Sequence, residues 1–304
     1  MVSSSALAAV GYASFVVFGD SLSDNGNGSY KLTNMTWPAD KAYFNGRFSN
    51  GPTYVEYLAN DLGIPVLRDH AYGGSTINNS FIAGGTGFNS TIPVPATADQ
   101  VQAYYKSATD KRKNAKDLVL ISGGNNDAFF LPTDMDPKEA AQTAAADLIK
   151  VAKTAYSHGA RHFVLPEAYC LEEIPYATQV APSAKAYLTT FKQAFNDYLH
   201  RHAKRQLPKD ITLTIFRSCR ALNDVKNHPK KYGFENTADG CLRGVYGGEN
   251  VPRTLCSDPD KYFFWDIYHP TTHTHRLLAD EAKRALGAHH TRARLSRPVG
   301  FSSA

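Results

Sequence analysis

No apolar stretch in the 304-residue chain approaches the roughly 18 residues needed to span a bilayer, so stable membrane insertion is not expected. There is no internal repeat and no low-complexity linker, which excludes solenoids and favours a single domain. Cysteine is scarce. None of the four residues forms a Cys-x-x-Cys pair, so a zinc ribbon or a thioredoxin-type redox motif is excluded. His269, His273 and His275 fall close together, but turn or helical placement explains them, and neither a metal nor a cofactor is expected. Positive charge exceeds negative by only five. The densest basic clusters, Lys111-Arg112-Lys113 and 201–205, lack interleaved aromatics and read as solvated faces, so no nucleic-acid partner is expected.

With 42% hydrophobic and 20% charged residues, the chain reads as globular. Residues 1–13 are small and apolar without a basic start, and are read as a leader remnant or disordered segment. Four sequons, beginning at Asn27, Asn34, Asn78 and Asn89, are candidate N-glycosylation sites and point to secretion. Cys241 and Cys256 flank a glycine-rich loop and are a candidate disulfide. Cys170 and Cys219 each follow an expected strand and could be paired or free.

Strands are expected at 14–19, 117–122, 161–165 and 211–216, with helices near 52–59, 97–107, 136–156, 183–205 and 272–286. Ser49 or Asn50 would cap the first helix, with Pro52 in its first turn, and Gly287 would end the last. This alternation implies a parallel sheet with helices on both faces, and a site at the carboxyl ends of its strands. Segment 218–262, rich in Gly, Asn and Pro, reads as an excursion over the surface near that site. The domain is drawn at 14–288, with 289–304 as a disordered tail.

Four short phrases carry chemistry. Gly19-Asp20-Ser21-Leu22 follows the first strand, where a tight turn would expose the serine hydroxyl. Asp266 and His269 are three residues apart, so a carboxylate can accept from the imidazole and leave its far nitrogen as a base. Gly73-Gly74 can present a backbone N–H without Cβ obstruction. Gly124-Asn125-Asn126-Asp127, directly after the strand at 117–122, puts an amide donor beside the serine. Taken singly, each phrase is more often an ordinary turn or cap. Phe129 and Phe130, next to the amide, could line an acyl pocket or simply pack.

In this order and spacing, the four phrases resemble the blocks of the GDSL, or SGNH, hydrolase superfamily. Asn45-Gly46-Arg47-Phe48-Ser49-Asn50-Gly51 is similar to a phrase of its plant, fungal and bacterial lipase/esterase branch. The resemblance covers about residues 14–275. It implies a three-layer α/β/α sandwich with a parallel sheet, of flavodoxin-like type, and serine acyl hydrolysis. Carried over, Ser21 is the nucleophile, His269 the base and Asp266 its orienter. The oxyanion donors are the Ser21 N–H, a glycine N–H (Gly74, with Gly73 left open) and the Asn126 amide. Expected substrates are short-chain or carbohydrate acyl esters, the alternatives being lipase or phospholipase action or acyl transfer by the same triad. A non-catalytic binding protein would have no need of all four groups.

Overall fold

The computed structural model describes residues 11–248 and 251–295. Five strands make the central sheet: β1 (Phe15–Phe18), β2 (Leu67–Asp69), β3 (Leu118–Ile121), β4 (His162–Pro166) and β5 (Thr212–Phe216). All pairings are parallel, in the order β2-β1-β3-β4-β5. Strands β1 and β3 are buried at every position, as their unbroken apolar runs require of central parallel strands. Their ends approach closely. A Cβ on Gly19 would lie 2.0 Å from Ser122 Oγ, so a larger residue at the start of the serine turn would have to turn the Ser122 hydroxyl aside.

Helices flank the sheet as α1 (Tyr54–Asp61), α2 (Thr97–Ser107), α3 (Asn125–Phe129), α4 (Pro137–Ser157), α5 (Ala184–Gln206), α6 (Ser218–Asn227) and α7 (Thr272–Leu295). This is the expected α/β/α arrangement. Helix α4 starts where the sequence says it should, with the Asp136 carboxylate accepting from the N–H groups of Lys138 and Glu139. Its buried stripe is largely alanine, including Ala141, Ala144, Ala145 and Ala152. Such small residues let it pack closely on α5, which buries Leu188, Phe191, Phe195 and Leu199 at helical spacing.

Three local differences from expectation stand out. Helix α1 is opened by Thr53, whose N–H is accepted by the Glu56 carboxylate at 2.8 Å, and Pro52 lies outside it. Ser49 and Asn50 are instead committed to the far end of the chain, as described below. Helix α7 runs through Gly287 to Leu295 and so includes the start of the segment expected to be a disordered tail. A glycine in a helix costs only about 1 kcal/mol against alanine, too little to stop a run of good helix formers. Residues 296–304 lie outside the described residues, as do 1–10. Strand β2 was not expected, because three residues with two charges carry no period-2 signal. The excursion expected at 218–262 contains α6 and a hairpin pairing Leu242–Gly244 with Arg253–Leu255.

Helices α1 and α7 pack together, and one contact makes stability pH-dependent. His275, buried in α7, accepts the Tyr54 N–H at Nδ1 (3.2 Å), satisfying one of the free donors at the start of α1. Burial, with a smaller contribution from His269, pushes its pKa down to about 3. An unfolded histidine titrates near 6.5, so between these values unfolding takes up a proton and stability rises with pH. The contribution is complete above about pH 6.5 and is lost as pH falls toward 3. Urea midpoints should therefore drop from pH 7 to pH 4, and drop less in His275→Gln, which retains an acceptor but does not titrate.

Candidate active site

Loops leaving the carboxyl ends of the strands meet over one cleft of about 420 Å³. The loop after β1 brings Ser21, that after β2 brings Gly74, and the start of α3, just past β3, brings Asn125 and Asn126. The loop after β4 adds Tyr169 and Leu171, and the turn before α7 adds His269.

The hydroxyl, imidazole and carboxylate form a continuous chain. Ser21 Oγ lies 2.9 Å from His269 Nε2, and His269 Nδ1 lies 2.9 Å from Asp266 Oδ2. With a carboxylate accepting at Nδ1, that nitrogen carries the proton and Nε2 is left as the acceptor facing Ser21. Asp266 and His269 are both buried, while Ser21 stays partly open to the cleft. The three-residue spacing works because the Asp266 Oδ1 accepts the backbone N–H groups of Tyr268 and His269, each at 2.7 Å. The turn closes on its own aspartate.

The two glycines of the doublet differ in their surroundings. Gly73 donates its N–H to Asp24 Oδ2 (2.9 Å), so that amide is committed, and Gly74 is the glycine that lines the cleft. Gly74 has φ +87°, and a Cβ there would lie 2.0 Å from the Gly85 carbonyl oxygen. No other residue fits this turn without moving it. The two asparagines also separate. Asn125 is used at both ends, donating to Asp20 Oδ2 and accepting the Tyr169 N–H, each at 2.9 Å. Asn126 donates once, to the Ser75 carbonyl at 2.9 Å. A primary amide has two N–H groups, so a second donor remains at Nδ2.

Phe129 and Phe130 both line the cleft. Phe129 meets Tyr176 and Tyr268 edge to face, making one aromatic wall. Sequence reasoning missed the side chains against the imidazole itself. Phe48 and Tyr246 pack on His269 with ring centroids at 5.2 and 5.7 Å. Phe48 lay inside the quoted 45–51 phrase, and Tyr246 inside the loop between Cys241 and Cys256. In neither case does the local pattern point to a histidine more than twenty residues away.

Both disulfides support cleft walls. Cys241–Cys256 closes the hairpin that carries Val245 and Tyr246, and Cys170–Cys219 ties the wall residues Tyr169 and Leu171 to α6. The second pairing settles what spacing left open. Closing a loop of 15 residues restrains the unfolded chain by about 3 kcal/mol. Replacing Cys241 and Cys256 together by serine should lower the melting temperature and, by releasing Tyr246, raise KM more than it lowers kcat. Thermal unfolding and ester kinetics on one preparation check both parts. His273 and His275 turn away from the cleft, to the Asp260 carbonyl and to the Tyr54 amide.

A hydroxyl–imidazole–carboxylate chain at the carboxyl ends of a parallel sheet is shared by serine hydrolases of several kinds, and the family model that matches this chain makes it an ester-bond hydrolase. The chain belongs to the GDSL-like lipase/acylhydrolase family, whose model matches residues 15–282. It is similar to the thermolabile hemolysin of Vibrio parahaemolyticus serotype O3:K6 (strain RIMD 2210633), at 28% identity over 279 residues. That match covers 88% of this chain and 62% of the hemolysin. It is 25% identical over 304 residues to GDSL esterase/lipase 6 of Arabidopsis thaliana, covering 86% and 83% of the two chains. A lipolytic G-D-S-L family protein from Veillonella parvula DSM 2008 superposes with a TM-score of 0.49 at 12% identity, over 89% of this chain and 96% of that one.

Proposed function

We propose that the chain is a secreted serine carboxylic-ester hydrolase that works through an acyl-enzyme on Ser21, on short-chain or carbohydrate acyl esters. The 2.9 Å contact between Ser21 Oγ and His269 Nε2 is the observation that carries this reading. Ser21 Oγ attacks the ester carbonyl carbon as its proton passes to His269 Nε2. The oxyanion that forms is met by the N–H groups of Ser21 and Gly74 and by the free Asn126 donor. As the C–O bond to the alcohol breaks, His269 returns the proton to the leaving oxygen. Water then enters, gives a proton to the same nitrogen, and attacks the acyl carbon. Collapse of the second tetrahedral species restores Ser21–OH and releases the acid. Asp266 accepts from the imidazole Nδ1 and holds the ring in the productive tautomer.

The cleft volume lies near the lower end of the roughly 300–1,000 Å³ common for small-molecule sites, which favours compact acyl groups over long chains. Phe88 and Val245 line the cleft yet stand 60% and 45% exposed, a feature that would suit a lipid ester. A rate profile over p-nitrophenyl esters from acetate to palmitate, beside acetylated xylan and a phospholipid, decides between them. Rates should peak at short chains; a peak at palmitate or on phospholipid would replace the substrate assignment.

Secretion is supported by the two disulfides, which persist in oxidising compartments. Of the four sequons, Asn27, Asn34 and Asn89 are exposed, whereas Asn78 donates its amide to Asp147 and makes a poor acceptor. Glycan mapping after expression in a eukaryotic host should find Asn78 bare.

A further inference from the structure

The turn holding Asp266 and His269 is gripped by a segment more than 200 residues earlier, and one side chain of that segment reaches the reacting chain itself. Tyr43, buried, donates its hydroxyl to Asp266 Oδ2 at 2.9 Å. That oxygen is also the nearer acceptor of His269 Nδ1–H, at 2.9 Å. Neighbours of Tyr43 hold the same turn: Phe48 packs on the imidazole, Ser49 Oγ donates to the Pro270 carbonyl (2.9 Å), and Asn50 Oδ1 accepts the Thr272 N–H (2.8 Å). The segment is itself fastened to α1 by Arg47 and Glu56. The family phrase at 45–51 therefore has a physical use, and Tyr43 lies just ahead of it.

We infer that Tyr43 is a positioning residue for hydrolysis, its hydroxyl orienting the Asp266 carboxylate and setting how strongly that carboxylate attracts the His269 imidazolium. This rests on the triad reading proposed above. A donor on a buried carboxylate oxygen disperses its negative charge. Without the tyrosine hydroxyl, that charge bears more fully on His269 Nδ1–H, the imidazolium is favoured, and the neutral base needed for attack appears only at higher pH. Tyr43 remains a donor throughout, because burial, and then the Asp266 charge, push its ionisation well above the ordinary phenol value.

Other groups face this pair. The hydroxyls of Tyr246 and Tyr268 are also pushed up, chiefly by burial, and His275 is held neutral by burial. Asp20 interacts with His269 and is raised by burial. All four are retained when Tyr43 is replaced, so a difference between the two pH profiles isolates the Tyr43 hydroxyl.

The test compares kcat/KM for p-nitrophenyl acetate from pH 5 to 9 in the native protein, Tyr43→Phe and Trp265→Phe. The last variant loosens the ring packed edge-on against Tyr43 and keeps the hydroxyl. Tyr43→Phe should move the acid limb upward by about half to one pH unit and lower the plateau about 3- to 10-fold; Trp265→Phe should leave the limb in place. An unmoved limb in Tyr43→Phe, or the same shift in both variants, overturns the inference. Full activity in Ser21→Ala would instead overturn the triad reading, so the two failures are told apart.

Discussion

Ser21→Ala and His269→Ala should each lower kcat by roughly 10⁴-fold or more, with the folded state intact. The nucleophile and its base act as one unit, joined by the 2.9 Å contact, so either loss removes the same step. The double variant should therefore be hardly worse than either single one, since the remaining rate belongs to the oxyanion donors and to binding. Ser21 is partly open at the mouth of the cleft, and losing its hydroxyl leaves no cavity in the core. A melting temperature within a few degrees of the native value is the control for Ser21→Ala, whereas His269→Ala takes a buried ring from beside the Asp266 carboxylate and should melt lower while still folding. A fluorophosphonate probe should label the native protein and not Ser21→Ala; equal labelling of both would remove Ser21 from the nucleophile's role.

The sequence carried the linear parts of this arrangement well, and the reason is physical. Strands β1 and β3 are central, and burial on both faces writes itself as an unbroken apolar run. The turns after them need glycine and small polar residues, which is why Ser21 and Asn126 stand in recognisable phrases. Asp266 and His269 are local partners, so their relation shows in the spacing. What was illegible is non-local or at an edge. Strand β2 forms at the sheet's border with Leu67, Arg68 and Asp69, a pattern no different from a loop. Tyr43 meets Asp266 across 223 positions, and Tyr246 reaches His269 from a hairpin whose closure depends on Cys241 finding Cys256. The choice of Gly74 over Gly73 likewise waited on Asp24, whose carboxylate occupies the Gly73 amide.

Asn126→Ala should reduce kcat by roughly 10²- to 10³-fold while KM changes little. The reasoning turns on when the amide is needed. One of its N–H groups holds the Ser75 carbonyl in every state, beside the Gly74 turn. In the proposed mechanism the other meets an ester oxygen that is neutral in the bound substrate and charged in the tetrahedral species, so its effect falls mainly on the barrier. Asn125→Ala is the contrasting variant. Its side chain spans Asp20 and the Tyr169 amide, both within the protein, and removing it strips the buried Asp20 Oδ2 of its amide donor, leaving the carboxyl the Leu22 N–H on Oδ1. That change should appear as a loss of about 1–3 kcal/mol in stability, read as a lower urea midpoint, with a smaller loss in kcat. Measured on one short-chain ester, the pair separates an oxyanion donor from a structural amide one residue away. If Asn126→Ala raises KM and spares kcat, its amide binds the ground state, and the oxyanion has to be held by the Ser21 and Gly74 N–H groups alone.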